Sequence, residues 1–154
     1  MSKQDYRFER NNLKFQLIER RVKRFPRVGY RPVCAVCHDH IGDGADMHEI
    51  LIPRKAWLPP ELVYTKENCG LVHPGGKTGG CHAEAHMESG YDKCVQHLIE
   101  YVGIKEMFAY LSRVSAATKG GYPDPIGKLL LALDRLGYDR ATVVNIAISS
   151  ERRD

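Results

Sequence analysis

Residues 67–86 read ENCGLVHPGGKTGGCHAEAH, and they gather five potential metal-binding side chains around a glycine-rich segment. Cysteine and histidine at this density are typical of metal centres. A phosphate-binding loop is the main alternative, because GGKT resembles the end of the motif G-x-x-x-x-G-K-[ST]. The first glycine of that motif would fall at residue 71, which is leucine, so nucleotide binding is excluded. The five side chains are those of Cys69, His73, Cys81, His82 and His86.

The composition is that of an ordinary globular protein. The 154 residues are enough for one domain with a modest core, and 43% of them are hydrophobic against 27% charged. No apolar run approaches the ~18 residues of a membrane span, and the N-terminal residues MSKQDYRFERNN lack the apolar core of a secretory signal. We therefore expect a cytoplasmic protein without membrane association. Five cysteines in a reducing compartment indicate metal ligands before disulfides.

Positive charge is concentrated at the N-terminus. Residues 1–31 contain ten Lys/Arg against three Asp/Glu, a net charge of +7, whereas residues 32–154 contain thirteen against sixteen, a net charge of −3. A basic arm on a mildly acidic body indicates a polyanionic partner, most simply nucleic acid, although a solvated helix face is the alternative. Phosphate contacts would supply affinity without sequence reading, and that affinity would fall with salt. The candidate phosphate-binding residues of the arm are Arg20, Arg21, Lys23 and Arg24.

Hydrophobic periodicity predicts helices at both ends of the chain and two short strands between them. A helix over residues 9–24 places Phe15, Ile18 and Val22 on one apolar face. Residues 47–52 (MHEILI) and the pair Leu71–Val72 are predicted strands. Further helices are predicted from residue 81, over 91–102, over 104–111 and after a proline at 125, whereas residues 140–150 fit either a helix or a strand.

The pair Cys34 and Cys37 is the first half of a predicted zinc site. The two-residue spacer lets both thiolates face one tetrahedral ion, and no thioredoxin-like βαβ pattern surrounds the pair. A structural zinc needs two more ligands. His73 and Cys81 are the candidates, with Cys69 as a substitute for His73. The alternative interpretation is a set of buried thiols beside a surface histidine.

A second constellation consists of His48-Glu49, Asn68 and His82-x-x-x-His86. Together with CAVC, which precedes MHEILIP, the order of these pieces resembles the HNH (ββα-metal) endonuclease family, in its zinc-stapled type with a colicin-like H-x-x-x-H. The resemblance covers roughly residues 30–90. The sequence departs from the family pattern twice: Glu49 stands where the family usually has its histidine base, and the spacer within the second zinc-ligand pair is longer than usual.

The resemblance implies a catalytic divalent ion, and histidine ligands suit Zn²⁺, Ni²⁺ or Mn²⁺ better than Mg²⁺. We expect His48, His82 and His86 to hold this ion, with Glu49 as the base or as the group that orients water. In the alternative register, His48 is the base, and His82 holds the ion with His86 or Glu49. By the same resemblance, Asn68 would hold its loop and orient the catalytic groups through hydrogen bonds, although a plain turn residue is the alternative.

The sequence therefore predicts an α+β fold. A small ββα-metal (HNH) core with a structural zinc would span residues 31–90, flanked by a basic helical arm over 1–30 and a helical region over 91–154 that packs on the core. The predicted function is metal-dependent HNH-type endonuclease cleavage of DNA. The alternative is a zinc-containing nucleic-acid-binding or interaction protein on the same scaffold, without catalysis.

Outside the arm, three basic residues of the core can meet a DNA phosphate or remain solvated, namely Arg54, Lys55 and Lys77. The C-terminal helices are expected to be available to a protein partner or to self-association. Contacts to DNA would be mainly to phosphates, so the expected affinity depends strongly on salt.

Overall fold

The computed structural model describes residues 3–24, 33–41, 44–54, 58–75, 80–118 and 125–151. Within these ranges the chain forms seven helices and one two-stranded antiparallel sheet, which confirms the α+β class. In chain order, the elements are α1 (Lys3–Arg24), β1 (Asp46–Glu49), α2 (Pro60–Val63), β2 (Cys69–Val72), α3 (Cys81–Ala85), α4 (Glu88–Tyr101), α5 (Ile104–Ala117), α6 (Pro125–Arg135) and α7 (Arg140–Glu151).

The sheet pairs β1 with β2, and Asp46 lies opposite Val72 while Glu49 lies opposite Cys69. The second predicted strand is confirmed and begins two residues earlier, at Cys69. The first is shorter than the predicted 47–52, because the ladder stops at Glu49. The backbone N–H groups of residues 50–52 instead donate to Asn68, which precedes β2. The N–H of Ile50 bonds to its backbone carbonyl, and those of Leu51 and Ile52 bond to its side-chain oxygen.

Helix α1 packs through a different face from the one predicted. Phe15 is 69% exposed, whereas Tyr6 and Leu13, seven residues apart and hence on one face, are buried. The Tyr6 hydroxyl donates a hydrogen bond to the Leu58 carbonyl, and its ring meets the Tyr64 ring edge to face at 6.3 Å. The contact face of α1 is therefore set by a tyrosine that buries its ring and bonds through its hydroxyl, and not by the predicted stripe that contains Phe15.

A tight corner joins α3 to α4. Gly90, in the first turn of α4, lies so close to α3 that a Cβ atom there would sit 1.8 Å from the Glu84 carbonyl oxygen. Only a residue without a side chain permits this approach. The corner therefore fixes the direction in which α3 presents its histidines relative to the body of the protein.

The C-terminal region is helical, and local capping defines its boundaries. Gly137 has φ +88°, and the N–H groups of Gly137 and Tyr138 bond to the carbonyls of Asp134 and Leu133, which is a Schellman motif that ends α6. The Asp139 carboxylate accepts the Thr142 N–H at 3.0 Å and so caps α7. This cap decides the ambiguous segment 140–150 in favour of a helix.

One hydrophobic cluster runs from Tyr6 in α1 to Val143 in α7, so the arm, the sheet region and the C-terminal helices share a core. Leu129 and Leu133 of α6 are fully buried in this cluster. None of the helices in the described part of the chain combines the length and the apolar character that crossing a bilayer requires.

Candidate metal centres

The structure brings the four predicted zinc ligands together. One ligand atom each from Cys34, Cys37, His73 and Cys81 lies within 4.8 Å of the others. His73 Nδ1 is 3.3 Å from the Cys37 Sγ and 3.6 Å from the Cys81 Sγ. Tetrahedral zinc with bonds of about 2.0–2.3 Å separates its ligand atoms by roughly 3.5–3.8 Å. This Cys₃His cluster can therefore hold a metal such as zinc.

Three backbone segments converge to build the cluster. The turn at residues 34–37 is tied to β2 by the Ala35 N–H, which donates to the Leu71 carbonyl at 2.8 Å. The start of α3 is tied to the end of β2 by the His82 N–H, which donates to the His73 carbonyl at 3.1 Å. Ligands that are distant in sequence are thus placed by hydrogen bonds that do not depend on a metal.

A hydrogen bond sets the tautomer of His73. Its Nε2 lies 3.1 Å from the His40 carbonyl oxygen, which can only accept. Nε2 therefore carries the hydrogen, and Nδ1 keeps its lone pair toward the sulfurs of Cys37 and Cys81. Metal-binding histidines usually have such a carbonyl or carboxylate behind them.

The thiols of the cluster differ in acidity. Burial raises the pKa of the Cys34 thiol, but the N–H groups of Cys37, His73 and Val36 outweigh this effect and lower the pKa to about 7. Burial and the two neighbouring thiols raise the pKa of Cys81 to about 12. A bound cation would favour all three thiolates, because thiolates are the metal-binding form.

Cys69, the predicted substitute for His73, is not part of this cluster. Its thiol is buried and donates to the Val63 carbonyl at 3.4 Å. Burial raises the pKa of this thiol well above its usual value. Among the two candidates, the structure therefore groups His73 with the other three ligands.

A second group consists of His48, His82 and His86, whose ligand atoms also lie within 4.8 Å of one another. The ring centroids are 5.4 Å apart for His48 and His82, 4.8 Å for His48 and His86, and 5.2 Å for His82 and His86. His48 comes from β1 and is 5% exposed, while the other two come from α3 and its C-cap and reach solvent. This three-histidine cluster is buried on one side and open on the other.

Asp46 is a member of this site that sequence reasoning missed. Its Oδ2 lies 2.9 Å from His82 Nδ1. A carboxylate oxygen accepts, so in the neutral ring Nδ1 carries the hydrogen and Nε2 presents its lone pair. Asp46 and His48 are two apart on β1 and share a face, so the pattern Asp-x-His on a strand was the available signal. A carboxylate behind a histidine is common at metal sites.

His48 is held neutral. Burial, followed by repulsion from Lys128 and from His86 and His82 when these rings are protonated, lowers the pKa of His48 to about 4. Its buried Nδ1 has no hydrogen-bond partner in the part of the chain that the structure describes. A buried ring nitrogen without a partner is costly, and coordination to a cation is one way to satisfy such a nitrogen.

Glu49, the predicted base, is not brought into the three-histidine cluster. It follows His48 on β1 and therefore points to the other face of the sheet. There its Oε1 accepts a hydrogen bond from the Tyr64 hydroxyl at 2.9 Å. Burial and the Glu49 carboxylate raise the pKa of Tyr64, which keeps this phenol protonated and able to donate.

Asn68 is fully buried, and its side chain holds the segment that follows β1. Oδ1 accepts the N–H groups of Leu51 at 2.9 Å and Ile52 at 2.7 Å. Nδ2 donates to the carbonyls of Ile52 and Val63, both at 2.8 Å. These four bonds use the amide fully, so Asn68 holds the segment that follows β1 and has no hydrogen-bonding capacity left for substrate.

Of the predicted phosphate-binding residues, the structure describes the side chain of Arg54. Arg54 is exposed, and its guanidinium carbon lies 5.5 Å from the centroid of the Tyr6 ring, which links it to α1. The other predicted residues lie outside the described part, either as side chains of α1 or as whole residues, namely Arg20, Arg21, Lys23, Arg24, Lys55 and Lys77.

Comparisons with known proteins add no assignment, because no protein-family model, no curated protein and no solved structure matches this chain. The fold and the two clusters define a small α+β protein with Cys/His groups that can bind metal.

Proposed function

We propose that this protein is a metal-dependent endonuclease of the HNH type, which hydrolyses DNA phosphodiester bonds and carries a structural zinc. The observation that carries the proposal is the convergence of His48, His82 and His86, next to a Cys₃His cluster. The order of β1, β2 and α3 along the chain also agrees with the ββα arrangement that the resemblance implies.

The two clusters have different parts in this proposal. The Cys₃His cluster offers four protein ligands and so suits a closed structural zinc site. Cys81 begins α3 and His82 follows it directly, so a zinc there fixes the start of the helix that carries the histidines. The three-histidine cluster offers three protein ligands and is open to solvent at His86, so coordination positions would remain for phosphate and water, as a catalytic site requires.

In the three-histidine cluster, a divalent ion would supply positive charge for the phosphate and for the departing oxygen. Two of the histidines are already arranged to bind such an ion. His82 is oriented by Asp46 so that its Nε2 lone pair is free, and His48 stays neutral at physiological pH because it is buried. Neutral imidazoles suit Zn²⁺, Ni²⁺ or Mn²⁺ better than Mg²⁺.

The geometry bears on which residue is the base. Glu49 would have to leave Tyr64 and reach around the strand to act as the base, so either it does so while His48 is the third ligand, or His48 accepts the proton while His82 and His86 hold the ion. The Glu49→Gln variant separates the two registers. If cleavage is retained in Glu49→Gln and lost in His48→Ala, His48 is supported as the base. If cleavage is lost in Glu49→Gln, Glu49 is supported as the base.

The test of the proposal is nicking of supercoiled plasmid with added Mn²⁺, Ni²⁺ or Mg²⁺. We expect nicking by the wild type and its loss in His82→Ala. The matched control is His38→Asn, which removes an exposed histidine outside both clusters at a positive φ of 63° that asparagine tolerates. Nicking that survives His82→Ala, or that disappears equally in both variants, contradicts the proposed site.

The alternative is a DNA-binding protein without catalysis, and the bond between Glu49 and Tyr64 is the observation that favours it. Binding of DNA in a gel shift, without nicking under any of the three metals, would establish this alternative. Reversal of Arg20, Arg21 and Arg24 to Glu tests the arm, because charge reversal at phosphate contacts weakens binding strongly. An unchanged affinity refutes a role for the arm.

The structural zinc is tested by metal analysis. We expect about one tightly held zinc per chain, lost in Cys34→Ala and retained in Cys69→Ala. Both substitutions remove a buried thiol, but only Cys34 belongs to the cluster. Equal zinc content in the wild type and Cys34→Ala would exclude Cys34 as a ligand, and loss in Cys69→Ala would return Cys69 to the ligand set.

A further inference from the structure

Helix α1 has aromatic residues on two opposite faces. Tyr6 and Leu13 pack on the body of the protein and are buried. Phe8 follows Tyr6 by two residues and Phe15 follows Leu13 by two, which is about 200° around a helix. Both phenylalanines therefore lie on the far side of α1, where they are 64% and 69% exposed. The body covers one apolar face of α1 and leaves the other for a partner.

The exposed face carries no charge. It consists of Phe8, Asn11, Asn12 and Phe15, here called the outer stripe, which are spaced at i, i+3, i+4 and i+7 and are all exposed. Helix α1 contains eight Lys/Arg and three Asp/Glu, and none of them belongs to the outer stripe. A polyanion selects basic side chains, so the outer stripe fits a neutral, partly apolar partner better than DNA.

The spacing and chemistry of the outer stripe are those of a helix that pairs with its own copy. Apolar residues seven apart line the seam of a two-stranded coiled coil, and the sequence continues the spacing of Phe8 and Phe15 to Val22. Asn11 lies three residues after Phe8, as Ile18 does after Phe15. An amide at such a position can bond to the same amide of a second copy, because it both donates and accepts.

We propose that α1 mediates a parallel, two-fold symmetric dimer of this chain through the outer stripe. A two-fold axis along the helix pair brings each residue of the stripe against its own counterpart, which a self-complementary face requires. The Tyr6 hydroxyl stays bonded to the Leu58 carbonyl of its own protomer, so each body lies on the side of its helix that faces away from the seam. This inference does not depend on the endonuclease, because dimerisation requires neither metal nor cleavage.

The test is sedimentation equilibrium of the full chain over a concentration series, in which we expect a monomer–dimer equilibrium. Phe15→Glu should raise the Kd of the dimer at least about 100-fold, because each of the two protomers loses a ring whose burial contributes about tenfold or more. Phe15→Leu should keep the dimer. The control Leu131→Glu places the same charge at a leucine of α6 that is 57% exposed, and it should dimerise like the wild type.

Salt separates a direct contact from association through bound nucleic acid. In a parallel pair the basic ends of the two α1 helices lie side by side, so salt screens their repulsion and should lower the Kd of the dimer. Association through nucleic acid weakens as salt rises. A Kd that rises with salt would therefore overturn the direct contact.

The remaining outcomes decide the inference as follows. A wild type that stays monomeric throughout the series overturns it, and so does a dimer that Phe15→Glu leaves intact. Loss of the dimer in Leu131→Glu with retention in Phe15→Glu would move the contact to the C-terminal helices. A dimer that depends on Phe15 without plasmid nicking keeps the interface and refutes the endonuclease, whereas nicking by a monomer does the reverse.

Discussion

Replacement of Asp46 tests whether His82 is oriented for a metal. Asp46 fixes the hydrogen of His82 on Nδ1 through a contact of 2.9 Å. Asp46→Ala lets the ring turn and exchange tautomers, so that the Nε2 lone pair is presented for only part of the time. Asp46→Asn can still accept the Nδ1 hydrogen through its amide oxygen but lacks the negative charge.

The expected loss of metal affinity follows from the solvent exposure of the Asp46 and His82 side chains. Carboxylates behind metal-binding histidines typically contribute 10- to 100-fold in affinity or activity. The side chains of His82 and Asp46 are 28% and 42% exposed, so water screens their interaction and places the effect at the lower end. We therefore expect Asp46→Ala to weaken the metal site about tenfold, which is about 1.4 kcal/mol, and Asp46→Asn to fall between Ala and the wild type.

The assay is the plasmid nicking rate as a function of Mn²⁺ concentration. The half-saturating Mn²⁺ concentration should rise about tenfold in Asp46→Ala, while the rate at saturating Mn²⁺ falls by less than this factor. Glu106→Gln, which neutralises an exposed carboxylate on α5 outside the cluster, is the control for net charge. Half-saturation in Asp46→Ala equal to that in Glu106→Gln would refute the orienting role of Asp46.

Three further predictions concern stability. Asn68→Ala leaves buried N–H groups of Leu51 and Ile52 without acceptors, so it should lower the unfolding free energy by about 3–5 kcal/mol and the Tm by roughly 10–15 °C; a Tm within about 3 °C of the wild type in a thermal scan would count against this account. Gly90→Ala would overlap a backbone carbonyl in α3, so urea unfolding should show a loss of at least about 2 kcal/mol, whereas an unchanged midpoint would mean that the corner is loose. In chelator-treated protein, unfolded His48 takes up a proton before folded His48 does, so stability should fall by roughly 3 kcal/mol as the pH drops from 6.5 to about 4; His48→Asn should lack this component, and identical pH profiles would show that His48 does not cause it.

Much of the candidate site could be predicted because its constraints are local in the sequence. The spacer between Cys34 and Cys37 fits one tetrahedral ion, and the spacing of His82 and His86 puts both on one side of a helical turn. The Asp-x-His pattern at residues 46–48 carried a comparable signal, because alternate strand residues share a face. The strand alternation that places Asp46 beside His48 also turns Glu49 away from the histidines.

The parts that could not be predicted depend on contacts between distant segments. Lys128 meets Tyr91 only because α6 packs on α4, and no local pattern encodes that pairing. Periodicity predicts that α1 packs through the stripe that contains Phe15. In the structure, α1 packs through Tyr6, whose hydroxyl donates to the carbonyl of Leu58, far along the chain. Periodicity identifies an amphipathic helix, but the partner surface decides which residues are buried.

The central claim is that three imidazoles converge on one ion beside a second ion held mainly by sulfur. Anomalous diffraction from crystals grown with Zn²⁺ tests it most directly, because each bound ion gives a peak at its own position. We predict two peaks, one among Cys34, Cys37, His73 and Cys81 and one among His48, His82 and His86. A peak at the sulfur ligands alone, with the rings of His48 and His82 turned apart, would contradict the account.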